Sequence, residues 1–207
     1  RALQLAMAHH AAVLGANFGT VGFLADVHGA DLGTALERIT SGEATVDERT
    51  ALVATLETEQ SHDAVIAFND VVIARRPGHG TARLRVEVGG EPMLTLQGDG
   101  VVIASPTGST AYTIGAGGPA VAPSLDAIVI TPLATQGSPL RSLVVDGRET
   151  IRIEIEPSSA PLRVEIDGRT IHDMPASAAL EVCAAPRKAR LVRTRPRTFY
   201  RDLADRL

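Results

Sequence analysis

The sequence is poor in several residue types, and each shortage argues against a class of protein. Aromatic residues make up only 3% of the 207 residues, so stacking platforms for single-stranded nucleic acid are not expected. Acidic residues outnumber basic ones by 24 to 20, which argues against a broad basic face for nucleic acid. A single cysteine, Cys183, excludes a framework of intrachain disulfides and fits a reducing cytoplasm.

Long apolar runs and two common catalytic motifs are also missing. No apolar run reaches the roughly 20 residues that span a bilayer, and no signal-peptide pattern is present, so we expect a cytoplasmic protein without membrane contact. A serine-hydrolase nucleophile elbow, G-x-S-x-G, is absent, and so is the P-loop pattern G-x-x-x-x-G-K-[ST]. The six histidines lack the spacing of metal ligands, so we assign no metal-binding residue.

The hydrophobic pattern changes its period near residue 45. Before that point, Ala12–Asn17 predicts a short buried parallel strand, and Asp31–Thr40 predicts a helix with one apolar face. Beyond it, strictly alternating runs such as Ala82–Val88 and Ile151–Glu156 predict strands with one buried and one wet face. The change of period indicates an α+β chain in which a small α/β part precedes a larger β-sandwich-like part.

These patterns divide the chain into three segments. We predict part of an incomplete N-terminal α/β nucleotide-binding domain over residues 1–44, a β-rich domain over 45–190, and a C-terminal segment that packs back on the first domain over 191–207.

The most informative stretch is residues 105–115, which we call the hydroxyl-rich segment. It follows an apolar strand at Val101–Ala104 and combines small residues with glycines, so that backbone N–H groups can approach an anion or a ribose closely. Five hydroxyl side chains lie within eight positions, near Asp99: Ser105, Thr107, Ser109, Thr110 and Tyr112. A loop that only turns the chain is the alternative, and the density of hydroxyls favours a binding loop.

Two further segments carry weaker signals. Asn69 and Asp70 precede an apolar strand, where an amide and a carboxylate could bind a vicinal diol or a base edge; an Asx turn is the alternative. Gly15–Leu24 resembles a dinucleotide fingerprint only loosely, because its glycine spacing differs and no helix follows directly. A tight turn explains it equally well.

Taken together, these segments resemble the NAD kinase family from about Ala12 to Leu207. Its signature is matched by Asp99-Gly100, Ser105-Pro-Thr-Gly-Ser-Thr-Ala-Tyr112 and Ala116-Gly-Gly-Pro119. Further segments with family counterparts are Asn69-Asp70, Asn17 to Leu24, Ile130-Thr-Pro132 with Arg141, and Phe199-Tyr200 with Leu203 and Leu207.

The resemblance implies a transferase that moves a phosphoryl group from ATP, or polyphosphate, to the adenosine ribose 2′-hydroxyl of NAD, forming NADP. It implies a divalent metal, Mg²⁺, with NAD and ATP as partners of a cytoplasmic homodimer or homotetramer. It assigns NAD binding to Asn69, Asp70, Arg83, Asp99, Thr110, Ala111, Tyr112, Thr113, Ile114, Gly115 and Arg169. It assigns a nucleotide or phosphate loop to Phe23, Thr107, Gly108 and Ser109.

The family's general base is the aspartate of a Gly-Gly-Asp-Gly-Thr motif, which these 207 residues do not contain. We therefore assign no catalytic residue and expect that motif immediately before Arg1. The chain also departs from the family at Thr135–Ser142, where Pro-His-x-Leu-x-x-Arg-Pro is common, and at Gln97, Gly115 and Arg169.

Two other functions stay open at this point. A non-catalytic paralogue that binds NAD or NADP as a sensor or assembly partner is favoured by the departure at Thr135–Ser142. A lipid or sugar kinase with the same glycine-rich device is disfavoured by the polar character of the hydroxyl-rich segment. Tyr112 is either a stacking wall for a ring or a core residue, and we predict the wall.

Overall fold

The computed structural model describes residues 2–19, 25, 27–58, 62–137, 140–195 and 199–204. The chain divides into two compact units, Arg1–Arg49 with Arg187–Leu207 and Thr50–Pro186. Nucleotide binding by residues 1–44, NAD binding by residues 45–190 and the packing of residues 191–207 on the first domain stay predictions.

The described residues contain four α-helices and seventeen strands. The helices are α1 Ala2–Ala8, α2 Leu32–Thr40, α3 Tyr112–Gly115 and α4 Phe199–Ala204, with 3₁₀ turns at Gly29–Asp31 and Gly108–Thr110. The strands are β1 Ala12–Val13, β2 Ala16–Asn17, β3 Val27–His28, β4 Thr45–Arg49, β5 Leu52–Glu57, β6 His62–Ala67, β7 Asp70–Arg75, β8 Ala82–Val88, β9 Glu91–Gly98, β10 Gly100–Ala104, β11 Ala127–Leu133, β12 Leu143–Asp146, β13 Ile151–Ile155, β14 Leu162–Ile166, β15 Arg169–Met174, β16 Ala179–Ala184 and β17 Ala189–Arg193. None of the helices in these described ranges has the length and apolarity needed to cross a bilayer.

In the first unit, β17 lies between β1 and β4, parallel to β1 and antiparallel to β4. The predicted helix is confirmed as α2, and Gly42 beyond its end has a φ of 79°, the left-handed conformation that commonly ends helices.

The prediction of one buried strand over Ala12–Asn17 is wrong. The run forms β1 and β2, which belong to different sheets, and none of its residues is buried. The Gly15 carbonyl between them accepts a hydrogen bond from the Val27 N–H (3.3 Å), which directs the chain away from β17 and toward β3.

The second unit is a sandwich of two six-stranded antiparallel sheets. The first sheet has the order β12-β11-β10-β7-β14-β15 and the second has the order β6-β5-β16-β13-β8-β9. The two sheets share one apolar core, to which the first contributes Ile73, Ile103 and Ile130 and the second Leu84 and Ile153, all fully buried. Burying each such side chain contributes roughly 1.5–3 kcal/mol. The prediction of an α+β fold with a β-sandwich-like part is confirmed.

The central strands of the first sheet are buried on both faces, whereas an antiparallel sheet commonly leaves one face in water. β7, β10 and β11 are accordingly apolar without alternation. On the face away from the sandwich core, Val72, Val102 and Val129 form a second apolar cluster with Val121 and Ala116. The chain that follows β10 therefore lies on the outer face of this sheet.

The second sheet has a charged outer face, as its strict alternation predicts. Arg152 on β13 pairs with Glu57 (2.7 Å), Glu181 (2.9 Å) and Glu154 (3.2 Å). Its hydrogen bond to the Glu57 carboxylate is the main cause that raises the pKa of Arg152. Such ion pairs suit a solvated sheet face.

Candidate functional site

Three turns meet at one end of the first sheet. In the antiparallel ladders, Asp70 at the start of β7 lies opposite Ala104 at the end of β10, and Val71 lies opposite Ile166 at the end of β14. The chain turns at each of these strand ends. Residues 68–70, the hydroxyl-rich segment and the Asp167-Gly168 turn therefore lie side by side.

The Asp167 carboxylate holds the first of these turns. Its Oδ1 accepts hydrogen bonds from the backbone N–H groups of Phe68 (3.0 Å), Asn69 (2.7 Å) and Asp70 (3.3 Å). The Asp167 N–H in turn donates to the Asp70 carbonyl (3.0 Å). These bonds fix the backbone at which the predicted Asn69–Asp70 pair is mounted.

The hydroxyl-rich segment is attached to the same turn. The Ser105 hydroxyl donates to the Phe68 carbonyl (2.6 Å) and accepts from the Gly108 N–H (3.1 Å). A Cβ at Gly108 would lie 1.8 Å from the Asn69 carbonyl oxygen, so no residue with a side chain fits there without displacing backbone. Glycine at this position is a requirement of close backbone approach.

Three of the six hydroxyls in the segment, those of Ser105, Ser109 and Thr110, bond to backbone groups of the chain itself. The buried Ser109 hydroxyl donates to the Pro106 carbonyl (2.7 Å) and accepts from the Val121 N–H (2.8 Å), and the Thr110 hydroxyl donates to the Thr107 carbonyl (3.3 Å). The number of hydroxyls therefore reflects turn building as much as ligand binding. A nucleotide contact at Ser109 or Thr110 stays a prediction.

Two threonine hydroxyls differ from this pattern. Thr107 is 4% exposed and Thr113 is fully buried, and neither Oγ1 has a hydrogen-bond partner among the residues that the structure describes. A buried hydroxyl without a partner costs free energy. Both residues were predicted to bind ligand from the sequence, and their unpaired hydroxyls are compatible with that prediction.

Asp70 carries a buried carboxyl group, with only 4% of the residue exposed. Burial is the main cause that raises its pKa from 3.8 to about 6, and the negative charge of Asp167 raises it further. A hydrogen bond from the Tyr112 backbone N–H acts in the opposite direction. Asp70 is therefore linked to the hydroxyl-rich segment and ionises close to neutral pH, a combination typical of functional sites.

A cavity of about 490 Å³ lies beside α3, on the outer face of the first sheet. Its polar wall contains Asp99 and Arg75, joined by a 2.6 Å contact between Oδ1 and Nε, and the Asp99 side chain is 50% exposed. Tyr112, 48% exposed, lines the same cavity together with Gly115. Tyr112 is therefore exposed at the cavity and not packed in a core, and its role as a stacking wall for a ring stays a prediction.

The structure brings together some of the residues predicted from the sequence and leaves others apart. Asn69 and Asp70 meet the hydroxyl-rich segment, which contains residues 107–109 and 110–115, at the start of β7 and the end of β10. Asp99 lies at the opposite end of the β7–β10 ladder, beside Arg75, where it lines the cavity with Tyr112 and Gly115. Arg83 is exposed on β8 of the second sheet, and Arg169 is exposed at the start of β15; neither lines the cavity. Phe23 lies outside the described residues.

Two residues of the site were missed from the sequence. Arg75 ends an apolar strand, and only its pairing with Asp99 across the β7–β10 ladder shows its position. Asp167-Gly168-Arg169 stands where the family has Asp-Gly-Gln, but no role was assigned to Asp167. Asp167 and Gly168 both have positive φ, 49° and 75°, which fits the two-residue hairpin that Asp-Gly predicts. The reach of its carboxylate to β7 depends on strand order, which local sequence does not encode.

In the described ranges, no three His, Cys, Asp or Glu side chains come together as a metal site. The described residues therefore do not build a protein-bound metal site by themselves.

Comparisons with known proteins identify the group to which this fold and site belong. Residues 68–194 match the family model for the ATP-NAD kinase C-terminal domain. The NAD kinase of Heliobacterium modesticaldum is 36% identical over 205 residues, covering 99% of this chain and 72% of that protein. The NAD kinase of Symbiobacterium thermophilum is 34% identical, covering 100% of this chain and 74% of that protein.

Solved structures of similar proteins point to the same family. Yeast NADH kinase, crystallised with NADH, has a TM-score of 0.88 and 27% identity, covering 94% of this chain and 58% of that one. An NAD kinase from Archaeoglobus fulgidus has a TM-score of 0.75 at 22% identity and shows a shared fold. The relatives and the solved structures named here are all called kinases of NAD or NADH. The chain belongs to the NAD kinase family.

The close approach at Gly108 generates a first prediction. Gly108→Ala should lower the free energy of unfolding by roughly 1–3 kcal/mol, because the added Cβ must displace the Asn69 backbone. Gly115→Ala, in the same segment, is the matched control for stability, since nothing lies within 4 Å of its added Cβ. Urea unfolding of both variants tests this, and equal midpoints would contradict the packing described here.

The buried carboxyl of Asp70 generates a second prediction. Because its pKa is higher in the folded protein than its ordinary value of 3.8, this group favours folding below pH 3.8 and loses that contribution as pH rises through about 6. Asp70→Asn should therefore be more stable than the wild type at pH 8, by roughly 2–3 kcal/mol, and the difference should shrink toward pH 4. Urea titrations at the two pH values measure it. A difference that does not change with pH would rule out a raised pKa at Asp70.

Proposed function

We propose that this chain forms part of an ATP-dependent NAD kinase, which transfers a phosphoryl group from ATP to the adenosine ribose 2′-hydroxyl of NAD and forms NADP. The observation that carries the proposal is the buried Asp70 carboxyl beside Asn69, linked through Tyr112 to a cavity with a half-exposed Asp99. The names of its relatives support the same reaction. Polyphosphate remains an alternative donor to be compared with ATP.

Different residues of the site bind different parts of the nucleotide, according to their chemistry. Above pH 6 the Asp70 carboxylate accepts hydrogen bonds from ribose hydroxyls, and the Asn69 amide supplies both a donor and an acceptor. The Tyr112 ring offers a face for stacking a base or the nicotinamide. Thr107 and Thr113 supply hydroxyls to phosphate or ribose, and contacts from residues 108–111, 114 and 115 are retained as proposals. Contacts from Arg83, Arg169 and Phe23 are retained as proposals.

The transfer itself requires positioning and charge stabilisation more than covalent chemistry by the protein. We propose that Mg²⁺ enters with the phosphates of ATP, since Mg²⁺ is commonly held by substrate phosphates and few carboxylates. We assign the general base to no residue of this chain. A cytoplasmic homodimer or homotetramer is the proposed state of the whole protein.

The direct test mixes the full-length protein with ATP, Mg²⁺ and NAD and follows NADP over time. Turnover with NADP as product is expected. Tight binding of NAD without turnover would instead identify a non-catalytic sensor. Both relatives described above are named NAD kinase, and no observation of the structure favours the sensor. Replacing ATP with polyphosphate in the same assay identifies the donor.

Asp99 provides a sharper prediction within this proposal. Asp99→Ala should weaken NAD binding by ~1.5–3 kcal/mol, the usual contribution of a hydrogen bond to a charged group. Asp173→Ala is the matched control. Asp173 also pairs with an arginine, Arg76 (3.1 Å), which follows the Arg75 that pairs with Asp99, but Asp173 does not line the cavity. Calorimetric titration with NAD measures both. Equal affinity in the two variants would remove Asp99 from the site.

A further inference from the structure

The Asp167-Gly168 turn belongs to no site assigned from the sequence, yet its carboxylate is bound by several backbone groups of the Phe68–Asp70 turn. Its two oxygens each lie 3.0 Å from the Phe68 N–H, and Oδ1 also accepts from Asn69 (2.7 Å) and Asp70 (3.3 Å). Three successive backbone N–H groups thus converge on one side chain from another hairpin. A carboxylate bound by such a row of donors fixes the local backbone.

The hairpin itself does not require an aspartate at this position. Asn-Gly, Asp-Gly and Gly-Gly all form a two-residue turn of this kind, because each tolerates positive φ. What the Asp167 side chain adds to the turn is therefore its hydrogen bonds to the backbone at the start of the neighbouring strand, β7. That strand begins with Asp70, directly after the three N–H groups.

We propose that Asp167 is a positioning residue, which holds the Asn69–Asp70 backbone so that the Asp70 carboxylate meets the dinucleotide in a fixed geometry. This inference rests on the proposed function and extends it to Asp167, to which the sequence assigned no role. Asp167 acts through Asp70 and is not itself a catalytic residue. Besides fixing the backbone, Asp167 has an electrostatic effect. Its negative charge lies close enough to Asp70 to disfavour ionisation of that carboxyl.

Three groups facing Asp70 influence its pKa, and the effect of Asp167 is measured against the other two. They are Asp167 from the hairpin, Glu165 from β14 and the Tyr112 N–H from the hydroxyl-rich segment. Glu165 pairs with Arg163 (2.7 Å), so its charge is partly balanced. Removing the charge of Asp167 should lower the pKa of Asp70, and NAD binding should then persist to lower pH.

Two variants of the full-length protein separate position from charge. Asp167→Gly removes the carboxylate without straining the positive φ, and should raise the KM for NAD on the order of tenfold with a smaller change in kcat. Asp167→Asn keeps an acceptor oxygen and tolerates this backbone. It should keep a KM near that of the wild type at pH 8 and shift the acidic limb of the KM profile to lower pH.

Asp146→Gly is the matched control. It precedes Gly147 in another Asp-Gly turn, where its carboxylate accepts from the Arg148 N–H (2.9 Å), and it does not line the cavity. It should change neither the KM for NAD nor the acidic limb. Thermal unfolding of all variants reports the folded fraction.

The outcomes are distinct. A folded Asp167→Gly variant with the wild-type KM, or with kcat reduced only in proportion to the folded fraction, overturns the inference. If that variant does not fold, an acidic limb unchanged in Asp167→Asn overturns it. If the wild type binds NAD without forming NADP, the proposed activity fails, and calorimetric affinities of the same variants decide the role of Asp167. A wild type that does neither overturns both.

Discussion

The close packing of Gly108 against the Asn69 carbonyl is the contact on which the rest of the site depends. It draws the hydroxyl-rich segment over the end of β7, where Ser105 adds its hydrogen bond to Phe68. The chain beyond then covers the outer face of the first sheet with Ala116 and Val121. Ala116 also lines the cavity beside α3, together with Asp99.

The site contains buried polar groups that destabilise the folded state, and hydrogen bonds and packing that stabilise it. Asp70 is a buried carboxyl that loses hydration, and Thr107 and Thr113 bury hydroxyls without partners in the described part of the chain. The Asp167 bonds and the doubly buried strands β7, β10 and β11 hold these groups in place. Polar groups that remain unsatisfied in a rigid surrounding are poised for a ligand with hydroxyls of its own.

Much of the fold was predictable because local pattern encodes it. The alternation in β8 and β14 and the helical face of α2 depend on neighbouring residues alone. The strand order that places Asp167 beside Asn69 depends on long-range pairing and could not be read from the sequence. Ligand binding by the hydroxyl-rich segment stays a prediction. The hydroxyl of Ser109 bonds to backbone groups of the chain itself, and sequence does not distinguish such a hydroxyl from one open to a ligand.

A crystal structure of the full-length protein with NAD tests the central claim most directly. The account predicts the dinucleotide beside Tyr112, with the Asp70 carboxylate and the Asn69 amide within hydrogen-bond distance of it. A dinucleotide bound elsewhere, with both side chains out of reach, would contradict the assignment of these turns as its cradle.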